Sequence, residues 1–190
     1  GNDPYTQQMN LCTNNNNNDG IYLQNSILNF NGSIQSTDNC VGIRSDLSKL
    51  ALDKFVICLN QHAGIKLQNS NLVYNKSKHD FPEIPYLFSG NGQHLILDQS
   101  TIHPVITSSM DSYSPVFKFT HQFGDLTLPH SQGYTHSPDL SPGILINNGS
   151  TANLVHAQID RGILNSYNEA LSKGSEILVK NNSKLVLKGS

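Results

Sequence analysis

The sequence has 190 residues, a formal net charge of −2 and only 14 % charged side chains. Its length suits a single domain with a continuous core. The small net charge gives no electrostatic reason to expect nucleic acid or an anionic membrane as a partner. Because no run approaches the about 18 apolar residues of a membrane-spanning helix, we also expect no membrane span.

Residues 1–19 carry no repeat and include a low-complexity run from Asn14 to Asn18. Such a run is typical of an exposed loop or turn. We therefore expect 1–19 to be a loop that caps the first repeat, and 20–190 to form the main domain.

A 22-residue repeat begins at Gly20 and restarts at Gly42 and Gly64. Alternating apolar and polar residues predict short, half-buried strands in each repeat, and serine-containing corners predict the turns between them. A further strand is predicted at residues 55–59, on another face. The conserved offsets within the repeat are Gly20, Gly42 and Gly64; Ile21, Ile43 and Ile65; Ser26, Ser48 and Ser70; Leu28, Leu50 and Leu72; and the large apolar residues Phe30, Leu52 and Tyr74.

The regularity loosens after the third repeat. Residues 75–93 and 129–142 are rich in proline and glycine, which predicts two long loops. Phe117 and Phe119 lie 22 residues after Leu95 and Leu97, so we expect the two pairs to align. A short helix is expected at 165–174. The repeat pattern returns at Leu95 and Leu97, at Ile144 and Ile146, and at Ile177 and Val179.

Units this small cannot bury an apolar face alone, so they are expected to stack, with parallel strands and equivalent side chains about 4.8 Å apart. The pattern resembles that of the right-handed parallel β-helix superfamily, which includes the pectate-lyase-like proteins. The prediction is an all-β solenoid of coils of about 22 residues with loop insertions, right-handed because parallel crossovers have that hand. The alternative is an antiparallel β-sandwich or jelly roll, which has no reason to keep a constant register.

If the repeated isoleucines and leucines point inward, the residues between them form two outward columns on one sheet. Arg44 and Lys66 are then neighbours, and Asp98 lies diagonally to Lys118. The first column is predicted to contain Tyr22, Arg44, Lys66, Ile96, Lys118 and Leu145. The second is predicted to contain Gln24, Asp46, Gln68, Asp98, Thr120 and Asn147.

The resemblance to pectate-lyase-like proteins implies that a polysaccharide lies across such a face. For an enzyme, the candidate catalytic residues are Asp46, Asp98, Lys66 and Lys118. Asp46 and Asp98 are expected roughly 9–10 Å apart, close to the ~6.5–9.5 Å that separates the carboxylates of an inverting glycosidase. A lyase would use Lys66 or Arg44 as the base. The alternative is that these charges satisfy one another across strands, at ~0.2–1 kcal/mol per pair.

Recognisable catalytic patterns of the pectin-hydrolysing relatives are missing from the sequence, as is tryptophan. His121, His130 and His136 lack the spacing of a metal site, and we expect neither a metal nor a cofactor.

Three cysteines predict either one disulfide with a leftover thiol or three buried thiols: Cys12, Cys40 and Cys58. The candidate ligand-binding residues are Tyr22, Arg44, Lys66, Gln68, Asp98, Lys118 and His121.

Three functions follow from these observations. The first is a non-catalytic, secreted or cell-envelope module that binds a glycan or host surface in the manner of an adhesin, with the location resting on fold analogy. The second is a polysaccharide lyase or glycoside hydrolase, and the third is a structural or assembly unit.

Because open strand edges near Leu185 and Leu187 are unfavourable, we expect a loop, further sequence or an end-to-end partner to cover the last coil.

Overall fold

The structure is a computed structural model that describes residues 9–74, 86–105, 117–120, 142–159 and 177–188. Within these ranges the chain is all-β and contains no helix. The strands are β1 (Met9–Asn14), β2 (Ile21–Gln24), β3 (Ile27–Thr37), β4 (Val41–Asp46), β5 (Lys49–Cys58), β6 (Ala63–Gln68), β7 (Asn71–Tyr74), β8 (Tyr86–Ser89), β9 (Gln93–Asp98), β10 (Thr101–Pro104), β11 (Phe117–Thr120), β12 (Ile144–Asn147), β13 (Thr151–Val155), β14 (Ala157–Ile159), β15 (Ile177–Val179) and β16 (Lys184–Lys188).

Every strand pair in these ranges is parallel. The strands form one six-stranded and one ten-stranded sheet. An antiparallel sandwich or jelly roll requires antiparallel neighbours. That alternative is therefore wrong for the part of the chain that the structure describes.

The ten-stranded sheet contains two ladders because β3 and β5 are long and pair separately through each half. In β5, residues 49–52 pair with β7, whereas 55–58 pair with β8. β3 pairs with both halves of β5 across a register shift between Phe30 and Ser33. We call the six-stranded sheet the first ladder. The second ladder comprises the first halves of β3 and β5 with β7, β10, β13 and β16, and the third comprises β1, the second halves of β3 and β5, β8, β11 and β14.

The 22-residue repeat is confirmed as a spatial register. Ile21 pairs with Ile43, and Ile43 pairs with Ile65. The column continues through Leu95 to Ile144 in the same sheet. Ile43 and Ile65 are fully buried, so the conserved offset marks the side that faces the core.

The third ladder contributes most of the aromatic side chains of the core. Phe88 and Phe119 stack with ring centroids 4.8 Å apart, and Tyr86 stacks on Phe117 at the same distance. Stacked and edge-on aromatic pairs of this kind are worth roughly 0.5–1.5 kcal/mol beyond their buried area. The core therefore consists of mainly aliphatic columns on the first two ladders, with Tyr74 on the second, and of largely aromatic columns on the third.

Tyr74 connects parts of the chain that are far apart in sequence. Its hydroxyl donates to the backbone oxygen of Asn153 at 2.9 Å and accepts from the N–H of Val155 at 3.3 Å. Burial of the phenol raises its pKa. The buried hydroxyl is thus satisfied by backbone of β13 rather than by water.

A serine ladder runs along the corner between the first and second ladders. Each serine N–H donates to the hydroxyl oxygen of the next serine, at 3.0–3.1 Å. The corner begins at a residue with positive φ, such as Asn25 or Asn69 at 47°. Since a serine hydroxyl can both accept and donate, it satisfies the backbone of the turn, as the sequence analysis expected. The members are Ser26, Ser48, Ser70, Ser100, Ser150 and Ser183.

An asparagine ladder, which the sequence analysis missed, runs along the corner between the third and first ladders. The Asn39 N–H donates to Asn60 Oδ1 at 3.1 Å, and the Asn60 N–H donates to Asn91 Oδ1 at 3.0 Å. Asn16 extends the ladder through its N–H and Nδ2, which donate to Asn39 Oδ1 at 3.3 and 2.9 Å. Asn39, Asn60 and Asn91 are fully buried, and their side chains replace water as partners of buried turn amides.

The glycine column exists because neighbouring groups fill the space where a side chain would be. A Cβ at Gly42 would lie 2.6 Å from the backbone oxygen of Gly64 and 2.9 Å from Asn60 Nδ2. Contacts below 3.0 Å with backbone require the strands to move apart. Glycine recurs at this offset because both the backbone of the next strand and the asparagine ladder occupy the space that a side chain would need.

Three expectations need correction. Phe117 does not align with Leu95, because it pairs with Tyr86 in the third ladder. Residues 9–14, expected to be loop, form β1, which extends the third ladder by pairing with β3. Strand β8 lies inside the predicted loop at 75–93. The boundary at residue 20 and the capping role of 1–19 stay predictions.

The remaining loop and helix predictions fall largely outside the described residues. This applies to most of the loop at 129–142 and to the helix at 165–174. Of the two cysteine alternatives, the disulfide is wrong, whereas the three free thiols are confirmed without the full burial that was expected. All three cysteines are free, Cys12 is exposed, and Cys40 and Cys58 are half-buried. Burial raises the pKa of the Cys58 thiol.

Substitution of Asn60 by alanine tests the asparagine ladder. It would leave the Asn39 N–H without an acceptor and remove the donor, 2.9 Å away, from Asn91 Oδ1. We expect a loss of about 2–4 kcal/mol in the free energy of unfolding, measured by urea denaturation. Asn29→Ala, at an exposed position of β3, is the control and should change stability by less than about 0.5 kcal/mol. Equal stabilities for the two variants would contradict this role of the ladder.

Candidate binding face

The outward side of the first ladder carries the candidate residues, and we call it the binding face. Parallel pairing in register places Tyr22 beside Arg44 and Arg44 beside Lys66. In the next strands the same column continues with Ile96 and Leu145. The second column contains Gln24, Asp46, Gln68, Asp98 and Asn147. Both predicted columns are confirmed, except at the positions assigned to Lys118 and Thr120.

Lys118 and Thr120 belong to a different part of the molecule. They lie on β11, where Lys118 pairs with Leu87 on one side and Gln158 on the other. This correction follows from the placement of Phe117 and Phe119 in the third ladder. The predicted diagonal contact between Lys118 and Asp98 is therefore absent, and the four proposed catalytic residues do not form one group.

Arg44 is the centre of a charged cluster at one end of the binding face. Its Nη1 lies 3.6 Å from Asp19 Oδ2, and its Nε lies 3.5 Å from Asp46 Oδ2. The guanidinium carbon also lies 5.4 Å from the centre of the Tyr22 ring, within range of a cation–π interaction. Tyr22 Oη donates to Asp46 Oδ2 at 3.1 Å. The predicted mutual satisfaction of surface charges is thus observed for Arg44 and Asp46.

This cluster shifts the ionisation of Tyr22. Partial desolvation raises the pKa of the phenol, and the hydrogen bond to Asp46 and the charge of that carboxylate raise it further. The Arg44 guanidinium acts in the opposite direction. Within the described residues, Arg44 Nε and Asp46 Oδ1 are buried atoms without hydrogen-bond partners, so the pair is close but incompletely satisfied.

Asp98 is separated from this cluster by Gln68. The two carboxylates, Asp46 and Asp98, lie two strand spacings apart, about 9–10 Å between Cα atoms, because each pairs with Gln68. Asp98 Oδ1 accepts a hydrogen bond of 2.7 Å from Asn148 Nδ2. Asn181 Nδ2 in turn donates to Asn148 Oδ1 at 3.2 Å. Asp98 therefore belongs to a neutral amide network rather than to a pair of carboxylates.

Lys66 lies between the charged and apolar halves of the first column. It is half-buried, next to Arg44 on one strand and Ile96 on the other. Among the described residues, no acidic group forms an ion pair with its ammonium. Unlike Arg44, Lys66 can therefore offer its ammonium to an external carboxylate or hydroxyl without first breaking an ion pair to a described residue.

Part of the binding face is apolar, as the predicted outward residues Ile96 and Leu145 indicated. Ile96 is only 8 % exposed although it points away from the main core. It packs with Val41 and Ala63, and the half-buried Cys40 and Leu145 pack against this group. A second, smaller apolar cluster therefore covers part of the outward surface.

Asp19 was missed because it precedes the first repeat in a segment predicted to be a loop. The corresponding positions of the next two repeats are Val41 and Ala63, so the repeat itself gives no acidic column there. The only available signal was the position of Asp19 immediately before Gly20. Its contact with Arg44, one strand further along, depends on the stacking of repeats.

Histidine and metal chemistry gain no support from the described residues. His94 is buried and lies 5.9 Å from the ring of Phe119, whereas His103 and His156 are half-buried. His121, a candidate ligand-binding residue, lies outside the described ranges, as do His130 and His136. In the parts of the chain that are described, no three potential ligands converge in a way that could hold a metal ion.

No protein-family model, curated protein or solved structure matches this chain. Among the described residues there is also no helix of the length and apolar character needed to cross a membrane.

Replacing Asp46 tests the coupling within the charged cluster. Asp46→Asn removes the negative charge that favours the protonated phenol, so we expect the pKa of Tyr22 to fall. The pKa can be followed by NMR of ¹³Cζ-labelled tyrosine during a pH titration. Asp98→Asn, two strands away on the same column, is the matched control and should leave the Tyr22 titration unchanged. An unchanged titration in Asp46→Asn would show that the Tyr22–Asp46 contact does not persist in solution.

Proposed function

We propose that the chain folds as a right-handed parallel β-helix, similar to the pectate-lyase-like superfamily in its repeat pattern. In this arrangement each coil contributes one strand to each of the three ladders. The in-register parallel pairing of Ile21, Ile43 and Ile65 supports it. The right hand is supported by the strong preference of parallel crossovers for that hand.

We further propose that the binding face holds a glycan without cleaving it. The observation that carries this proposal is the second outward column, in which amides and carboxylates alternate at one strand spacing, about 4.8 Å. Sugar hydroxyls donate and accept hydrogen bonds, and these side chains supply both partners. An extended chain of sugars fits such a row better than a compact ligand does. The column consists of Gln24, Asp46, Gln68, Asp98 and Asn147.

The aromatic and basic residues beside this column add two complementary contacts. Tyr22 is 50 % exposed and offers part of an aromatic ring on which a sugar can pack. Lys66, one column away from Gln68, offers an ammonium to an acidic sugar or a hydroxyl. The face is therefore suited to a glycan that contains both neutral and acidic groups.

The arrangement of the charges argues for binding rather than catalysis. General acid–base cleavage needs two groups positioned on either side of one bond. Here Asp46 is engaged by Arg44 and Tyr22, Asp98 is engaged by Asn148, and Lys118 lies on another ladder. A secreted or envelope location, where an adhesin-like module would meet a host or cell surface, is part of the proposal and rests on fold analogy.

Glycan-array binding followed by titration calorimetry tests this proposal. Gln68→Ala removes an exposed amide from the centre of the column, and we expect it to weaken binding by about three- to tenfold. Gln35→Ala removes another exposed amide, from the third ladder, and should leave the affinity unchanged.

Two results would contradict the proposal. Release of reducing or unsaturated sugar ends, abolished by Asp98→Asn, would identify a hydrolase or lyase instead. Absence of binding to every glycan tested would favour the third function, a structural or assembly unit.

A further inference from the structure

The last described strands expose residues that are buried in the strands before them. Val179 pairs with Ile146, and Leu187 pairs with Leu154. Ile146 and Leu154 are fully buried, whereas Val179 is 38 % and Leu187 is 41 % exposed. The inward columns of the first and second ladders thus end on β15 and β16 in an apolar surface that is open to solvent.

The first strands show a corresponding surface at the other end of the same columns. Leu23 and Leu28 are half-buried on β2 and β3, whereas Leu50 and Leu67, further along the same columns, are 1 % and 0 % exposed. The two ends of the molecule therefore present the same kind of side chain at the same offsets. If one end were placed against the other, Ile177 would meet Ile21 and Val179 would meet Leu23.

The serine ladder has a direction, which makes its two ends complementary. Every link runs from the N–H of one serine to the hydroxyl oxygen of the next, from Ser26 towards Ser183. Within the described residues, the N–H of Ser183 has no acceptor and the hydroxyl of Ser26 receives no N–H donor. A Ser183 N–H placed against a Ser26 hydroxyl would continue the ladder with the bond that it already repeats.

The backbone edges of the strands at the two ends of the molecule are complementary as well. Among the described strands, the first and second ladders finish at one end with β15 and β16, and they begin at the other end with β2 and the first half of β3. Because all pairing is parallel, an edge of one end can pair with the opposite end of another copy and keep the same hydrogen-bond direction.

Charge also favours contact between unlike ends. Lys180 and Lys184 are exposed at the β15–β16 end, so two such ends brought together would oppose like charges. At the other end, the outward residues of β2 and the first half of β3 include no cation. They are Tyr22, Gln24, Ile27 and Asn29.

We propose that copies of this chain associate head to tail, with β15 and β16 of one copy pairing with β2 and β3 of the next. The contact is heterologous, so the same two surfaces remain free at the ends of a dimer and assembly continues to longer fibres. Burial of the apolar columns supplies the favourable free energy, and the continued backbone and serine ladders fix the register. Assembly does not require glycan binding, so the two proposals fail independently.

Sedimentation velocity over a concentration series, with two end-blocked variants, tests this proposal. Val179→Lys blocks the β15–β16 end, and Leu23→Lys blocks the opposite end of the same column. We expect the unmodified chain to form species larger than a dimer as its concentration rises. Each variant alone should associate at least about tenfold more weakly, because its lysine would lose hydration in an apolar joint. An equimolar mixture of the two should form 1:1 dimers through the remaining unblocked ends.

Val73→Lys, at an outward position in the middle of the second ladder, is the matched control and should assemble like the unmodified chain. Circular dichroism checks that each variant retains its β structure. If Leu23→Lys does not fold, hydrogen exchange of the unmodified chain replaces it. Protection should then rise with concentration in residues 21–28 and 177–187 but not in 43–72.

Three results would overturn the proposal. The first is an unmodified chain that remains monomeric up to roughly 1 mM, the limit of even weak association. The second is self-association of either blocked variant alone that is as strong as that of the unmodified chain, which would indicate contact between like ends. The third is concentration-dependent protection in the middle of the ladders, which would place the contact on a face.

Discussion

The structure depends on the in-register stacking of equivalent residues on parallel strands. Each short strand exposes an apolar side and unpaired backbone groups, and neither can be satisfied within a single repeat. Stacking satisfies both at once, since the isoleucine of one repeat packs on the isoleucine of the next while the two backbones exchange hydrogen bonds. In the tight corners the backbone amides cannot pair within a strand, and the serine and asparagine ladders supply their hydrogen-bond partners.

The asparagine ladder also constrains the glycine column of the repeat. Asn60 is fully buried, and a buried polar side chain stabilises a fold only when its partners are in place. The same asparagine lies 2.9 Å from the position of a Cβ at Gly42, so the ladder and the glycine column constrain each other. Hydrophobic stacking provides the general driving force, whereas these contacts select one register over its neighbours.

Much of this architecture could be predicted from the sequence where the repeat is regular. In residues 20–74 the register is visible in the sequence, because Gly, Ile, Ser and Leu each recur every 22 residues. The observed strand pairs follow this spacing. The prediction failed where insertions changed the spacing. Phe117 lies 22 residues after Leu95, but the corner and second ladder between them place it on the third ladder, and Lys118 moves with it. A constant spacing indicates the same ladder only when the segments in between have the same length.

Other features could not be predicted because they depend on contacts between repeats. The asparagine ladder has sequence separations of 23, 21 and 31 residues, and a chain rich in asparagine hides such a pattern. The contact of Asp19 with Arg44 joins a residue outside the repeat to one inside it. Conversely, the outward columns were predicted correctly around Arg44 and Asp46, since strand alternation determines them.

The most direct test of the account is a set of methyl–methyl nuclear Overhauser effects among the isoleucines of the first ladder. Stacked parallel strands place the Ile43 side chain in contact with both Ile21 and Ile65, and Ile65 in contact with Leu95. Cross-peaks for all three contacts, with none between Ile21 and Ile65, are the predicted result. If Ile43 showed contacts to neither Ile21 nor Ile65, the strands would not be stacked in this register, and the binding face and the end surfaces derived from that register would be wrong.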